Sequence, residues 1–206
     1  MALNNFVSAS VLLANNSIKI NGDTVFESRD LSATDFLVAA YHHFKINYPK
    51  FFKMDNLCKT GFIAAELLLN GRNISAEYTA EEVGIIVSNA NSSLDTDIRY
   101  NASIATAPSP ALFVYTLPNV LIGELCIRHH IKGEAACFVF DIFDCAFQTS
   151  YVNSLMDTGK VKATVSGWAD YYNGKAEAFF YLAEQKENGG VLHDFENVKR
   201  LFETNT

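Results

Sequence analysis

The side chains in this sequence equipped for nucleophilic or metal-dependent chemistry are Cys58, Cys126, Cys137 and Cys145, with His42, His43, His129, His130 and His193. A thiol attacks as its thiolate, which needs a helix N-terminus, a cation or an imidazole beside it. Local spacing provides no such arrangement. There is no C-x2-C pair, and His42 and His43 are neighbours on a predicted helix that point in different directions, so neither pattern holds a metal. No metal site and no cofactor is expected. His129 and His130 close a predicted helix, where an imidazolium would meet the negative pole and cap it. His193 falls in a polar tail. Cys58 and Cys126 lie in predicted helices and Cys137 in mid-strand, which reads as core filling. Glu124, among Val120, Leu121 and Ile127, reads either as a buried acid or, by preference, as a solvent-facing or salt-bridged one, with Arg128 at i+4 as a partner. Asn91 to Asp97 is a polar loop after a strand, a place where α/β folds bind ligands and also an ordinary connection.

These residues must be positioned by alternating strands and helices. Phe6 to Leu13 reads as a strand, and Ser17 to Phe26 as a hairpin turning at Asn21-Gly22. Phe36, Leu37, Ala40, Tyr41 and Phe44 have helical spacing, with Ser32 or Thr34 as cap. Asp55 caps a second helix through Leu57, Ile63, Ala64, Leu67 and Leu68, which stops at Asn70-Gly71. Glu82 to Ser88 is a continuous apolar run, as in a strand covered on both faces. Residues 89 to 119 read as loop. A helix starting at Pro118 carries Val120, Leu121, Leu125, Ile127 and Ile131 and ends at Gly133. Ala136 to Phe140 is a strand that runs into a helix from about Ile142 to Met156, closed by Gly159. Ala163 to Trp168 and Ala176 to Ala183 are strands joined at Asn173-Gly174, the last forming an antiparallel edge.

Composition narrows the function. The 206 residues are 49% apolar and 13% aromatic, enough for one domain over 1–206. Only 19% are charged, against about 25% in ordinary soluble chains, which leaves surface for another chain to cover. A net charge of −7 without a Lys/Arg run argues against a nucleic-acid partner. No stretch reaches the roughly 20 apolar residues of a membrane span, the N-terminus lacks a signal-peptide pattern, and unpaired cysteines suit a reducing cytoplasm.

Local sequences are more specific than the element order. Ala107-Pro-Ser-Pro-Ala-Leu-Phe-Val-Tyr-Thr-Leu-Pro-Asn119, followed by Ile122-Gly-Glu-Leu-Cys-Ile-Arg128 and Ile131-Lys-Gly133, resembles the N-terminal half of β-ketoacyl synthases. Lys160 to Asp170 resembles that family's strand after the nucleophile helix, and Lys175 to Glu184 its following antiparallel strand. The resemblance implies an α/β fold, one thiolase-like half with a five-stranded mixed sheet, its last strand antiparallel, and helices on both faces. The second half, which brings the family's two catalytic histidines, is not in this sequence.

In that family the nucleophilic cysteine lies nine positions after the glycine matching Gly133 and seventeen before the one matching Gly159; both counts fall on Ile142. Isoleucine forms no thioester, and Asp141 and Asp144 would disfavour a thiolate nearby. Cys145 is the fallback nucleophile; three residues along the same helix it would sit about 4.5 Å down the axis, rotated away from the cap. Trp168 stands where the family often has a second glycine, so it either fills core space or meets a partner. The resemblance therefore implies a catalytically incompetent accessory subunit, like a chain length factor, in fatty-acid, polyketide or aryl-polyene-type assembly. Phe143, Phe147 and Tyr151 on the nucleophile helix, with Phe138 and Phe140 on the preceding strand, are the candidate interface for a homodimer or for a heterodimer with a ketosynthase-like chain. Acyl carrier protein is a further candidate partner. The alternatives are a small acyl-thioester enzyme using Cys145 with a histidine, and a binding module for an acyl chain or carrier protein.

Overall fold

A computed structural model describes residues 4–186 and 189–203. The strands are β1 (Phe6–Ala14), β2 (Ser17–Ile20), β3 (Asp23–Glu27), β4 (Val83–Asn89), β5 (Ala135–Val139), β6 (Ala163–Tyr172), β7 (Lys175–Glu184) and β8 (Val191–Leu192). They form one mixed sheet in the order β3-β2-β1-β7-β6-β4-β5, with β8 paired to the start of β1. The expected five strands become eight because the β2–β3 hairpin pairs onto β1 and extends the sheet, and because Val191 and Leu192 add a short strand. β7 is antiparallel to β6 as expected, but it is an interior strand rather than an edge: β1 covers its other side. The parallel part is β6-β4-β5, and β5 is an edge of the sheet.

Helices cover both faces. On one lie α1 (Ala33–His43), α2 (Asn56–Leu68) and α6 (Val120–His129), whose apolar stripes bury Phe36, Leu37, Phe62, Ile63 and Leu125 against Val11, Ile85, Val165 and Phe180. Ser32 and Asp55 cap α1 and α2 through side chains that accept the Asp35 and Cys58 amides. On the other face α7 (Cys145–Asp157) and α8 (Phe195–Glu203) close over Ile86, Trp168, Phe179 and Tyr181. β4 lies between the two layers, and all seven of its residues are buried, which explains its unbroken apolar run.

Residues 89–119 are not a plain loop: they contain α4 (Leu94–Ile104) and α5 (Pro110–Val114). Ser109 caps α5 with proline at the first position, a start signal present in the sequence. α4 buries only Thr96, whose hydroxyl donates to Asp55 at 2.7 Å, so it has no apolar stripe to betray it. A short helix α3 (Ile74–Glu77) completes the set. α6 ends at His130, which takes a left-handed backbone (φ 56°), and not at Gly133. Gly133 serves a different need, since a Cβ there would lie 2.4 Å from the Val83 carbonyl oxygen where the chain passes the start of β4.

Candidate functional site

The segment from β5 to α7 is where the resemblance places chemistry. Asp144 caps α7 by accepting the Phe147 amide at 2.8 Å, so the helix starts at Cys145, three residues later than expected. Ile142 consequently lies in the connecting loop, 74% exposed and outside the helix. Cys145 moves from an expected fourth helical position to the first, the place where a helix usually lowers a thiol pKa. The surroundings reverse that effect: burial, then Glu203 and Asp144, push this thiol up to about 11. At neutral pH it is a protonated, buried thiol. Burial also raises Cys58, Cys126 and Cys137, and all four cysteines are free.

No histidine is set to activate Cys145. His193, expected in a polar tail, is 4% exposed, with Nδ1 against Asn153 Oδ1 at 2.8 Å and Nε2 against Tyr181 Oη at 3.2 Å. Burial lowers its pKa to about 4, so the ring is neutral and both nitrogens are engaged. His129 is likewise lowered to about 4 by burial, although it lies 3.2 Å from Glu66; it is not the capping imidazolium expected, and the His130 backbone ends the helix. His42 and His43 are exposed on α1. Among the described residues no cluster of His, Cys, Asp and Glu could hold a metal ion.

Glu124 is both buried and salt-bridged, but not to Arg128. Its partner is Lys50 at 2.7 Å, with the Tyr115 hydroxyl at 3.4 Å, whereas Arg128 makes a two-pronged pair with Glu66 at 2.7 and 2.8 Å. The Asn91 loop is tied down: its backbone N–H and side-chain amide both donate to Asp170. Trp168 fills core space, 5% exposed and edge-on to Phe143. The preceding Gly167 has φ +147°, and a Cβ there would sit 1.9 Å from the Phe179 carbonyl oxygen, so glycine is required.

Four of the five candidate interface residues come together. Phe138 on β5, Phe140 just after it, and Phe147 and Tyr151 on α7 form a half-buried aromatic cluster with centroid separations of 4.8 to 6.0 Å. Phe143 does not belong to it. That ring precedes α7 and is buried against Trp168, Phe179 and, on α8, Phe202, where the sequence left it open to water. The outer side of β5 pairs with no described strand, and Val139 on it is 54% exposed. Further exposed apolar side chains are Ile98 on α4, Phe113 on α5, Leu117 between α5 and α6, and Ile127 on α6, each more than half exposed. The Pro118 carbonyl accepts the Cys137 thiol at 3.9 Å.

Sequence reasoning missed α8, although Asp194 as cap and Phe195, Val198 and Phe202 on one stripe were its signals.

No protein-family model and no curated protein matches the sequence. Solved structures do match the fold. The ishigamide ketosynthase/chain length factor superposes with a TM-score of 0.65 at 15% identity, over 90% of this chain and 63% of that one. A type II PKS acyl-carrier protein in complex with its ketosynthase (AntDE:AntF) gives 0.63 at 13%, over 93% and 66%. The ketosynthase ApeO in complex with its chain length factor ApeC from Xenorhabdus doucetiae gives 0.57 at 12%, over 90% and 81%. The chain thus has the thiolase-like fold of ketosynthases and chain length factors, as its sequence led one to expect. It spans just under two thirds of the length of the first two of these. Among the described residues no helix is long and apolar enough to cross a membrane.

Proposed function

We propose that this chain is a ketosynthase-like accessory subunit without condensing activity of its own, comparable to a chain length factor, in fatty-acid, polyketide or aryl-polyene-type assembly in the cytoplasm. The observation that carries the reading is Ile142: an aliphatic, solvent-facing side chain at the position both family counts give for the nucleophile, with the nearby Cys145 thiol held protonated. Such a chain contributes by shape and contact. The unpaired edge of β5 and the aromatic cluster beside it are suited to a ketosynthase-like partner, whose strand would extend the sheet and whose apolar side chains would cover Val139, Phe138 and Phe140. A homodimer would use the same isologous surface. Fold likeness to solved structures of a ketosynthase with its chain length factor supports this choice over a free-standing acyl-binding module. Cys145 at the first turn of α7 is the one feature that favours the acyl-thioester enzyme instead, and its raised pKa weighs against it.

The test is size-exclusion chromatography with light scattering, on the chain alone and mixed with a ketosynthase from the same organism. A dimer in either case, reduced to monomer by Phe138→Asp, is the expected result. A monomer under both conditions would overturn the proposal.

A further inference from the structure

A cleft of about 910 Å³ opens at the N-terminal end of α7, between the β6–β7 strands and α8. Its floor is aromatic, with Trp168, Phe143 and Phe202 among the lining side chains. Its charged lining is one-sided. Asp141, Asp144, Asp170 and Glu177 face it, while Lys199 and Glu203, 3.8 Å apart, cancel each other. Lys175 does not line the cleft; it lines two neighbouring grooves, one shared with Asp170 and Glu177 and one with Glu177, and no ion pair within 4 Å ties it to either carboxylate among the described residues. The positive pole of α7 does not redress the balance, because Asp144 already occupies it as the cap.

Asp170 and Glu177 are direct cross-strand partners in the β6–β7 ladder, a placement in which like charges repel. Asp170 is held there by two hydrogen bonds from Asn91, so it cannot swing away from its neighbour. Burial first, and then the Asp170 charge, raise the pKa of Glu177. A cavity of this size with an apolar floor and a few convergent polar groups has the form of a small-molecule site. Its field would repel a carboxylate, phosphate or thiolate and attract a cation.

We propose that this cleft binds a small organic ammonium ion with an apolar body, the body on the Trp168 and Phe202 rings and the positive charge between Asp170 and Glu177. Aromatic faces add to the attraction of such a cation. The inference does not rest on the accessory-subunit reading, although Phe140 borders both this cleft and the proposed partner surface.

Trp168 is the single tryptophan of the chain and lies in the cleft wall, so its fluorescence reports occupancy. Octylammonium and octanoate, equal in chain length and opposite in charge, are titrated separately into the intact protein below their micellar concentrations. Octylammonium is expected to change the Trp168 emission saturably, with an affinity roughly tenfold or more above that of octanoate and weakened by salt. Glu177→Gln is expected to lower the octylammonium affinity about threefold to tenfold and leave octanoate no weaker than before. Equal or tighter binding of octanoate, or no saturable change with octylammonium, overturns the proposal without reference to any variant. An octylammonium affinity unchanged in Glu177→Gln overturns it as well.

Discussion

Phe138 on β5 and Phe147 on α7 meet edge to face, with ring centroids 4.8 Å apart and planes inclined by 75°. The pair fastens the edge strand of the sheet to the helix that follows it, and both rings remain half-buried. Phe147→Ala therefore removes a contact that serves the fold and the proposed interface together. Loss of a half-buried ring costs the isolated chain about 1–2 kcal/mol. The effect on pairing should be larger, roughly tenfold or more in dissociation constant, as for an aromatic anchor at an interface centre. Chemical denaturation and light scattering on the same variant separate the two.

Gly167 should tolerate no side chain. With φ at +147° and the Phe179 carbonyl oxygen 1.9 Å from the position of a Cβ, Gly167→Ala must separate β6 from β7. A loss of about 3 kcal/mol or more is expected in urea unfolding, at the severe end for single substitutions. Trp168→Phe gives the comparison: it keeps the ring packing against Phe143 and should cost about 1 kcal/mol.

Stability should fall with acid earlier than carboxylate titration alone would produce. His129 and His193 both have folded pKa values lowered to about 4 by burial, below the ordinary value of 6.5. The unfolded chain therefore binds more protons than the folded one between these limits. Their contribution is fully present above about pH 6.5 and is lost progressively as the pH falls towards 4, on the order of 2–3 kcal/mol for each group. Urea midpoints at pH 7.5, 6, 5 and 4.5 should decline throughout. His193→Gln should lower the midpoint at pH 7.5 and flatten the decline below pH 6.5; an unchanged slope would mean that His193 does not titrate in this way.

Much of the framework was readable from the sequence because its signals are local. Ser32, Asp55 and the Asn21-Gly22 turn punctuate elements whose apolar spacing is regular, and the all-buried β4 announces itself as a continuous run. What escaped depends on tertiary partners. The start of α7 is set by one side chain, Asp144, which periodicity does not weigh. The burial of His193 exists only because β8 folds back on β1 and brings the ring to Asn153 and Tyr181. The same fold-back lets α8 cover Phe143, which removed that residue from the partner surface. At the candidate site, Ile142 was found by counting between glycines, whereas the raised pKa of Cys145 comes from burial and from Glu203, 58 positions further along the chain.

Covalent acylation tests the account at its centre. The chain is incubated with an acyl thioester, such as octanoyl-coenzyme A, beside a condensing ketosynthase as a positive control, and the intact masses of both are recorded. The mass of this chain should stay unchanged while the control gains one acyl group, since Ile142 has no nucleophilic atom and the Cys145 thiol stays protonated. A one-to-one acyl adduct on this chain that disappears in Cys145→Ala would contradict the account and make the protein an acyl-thioester enzyme.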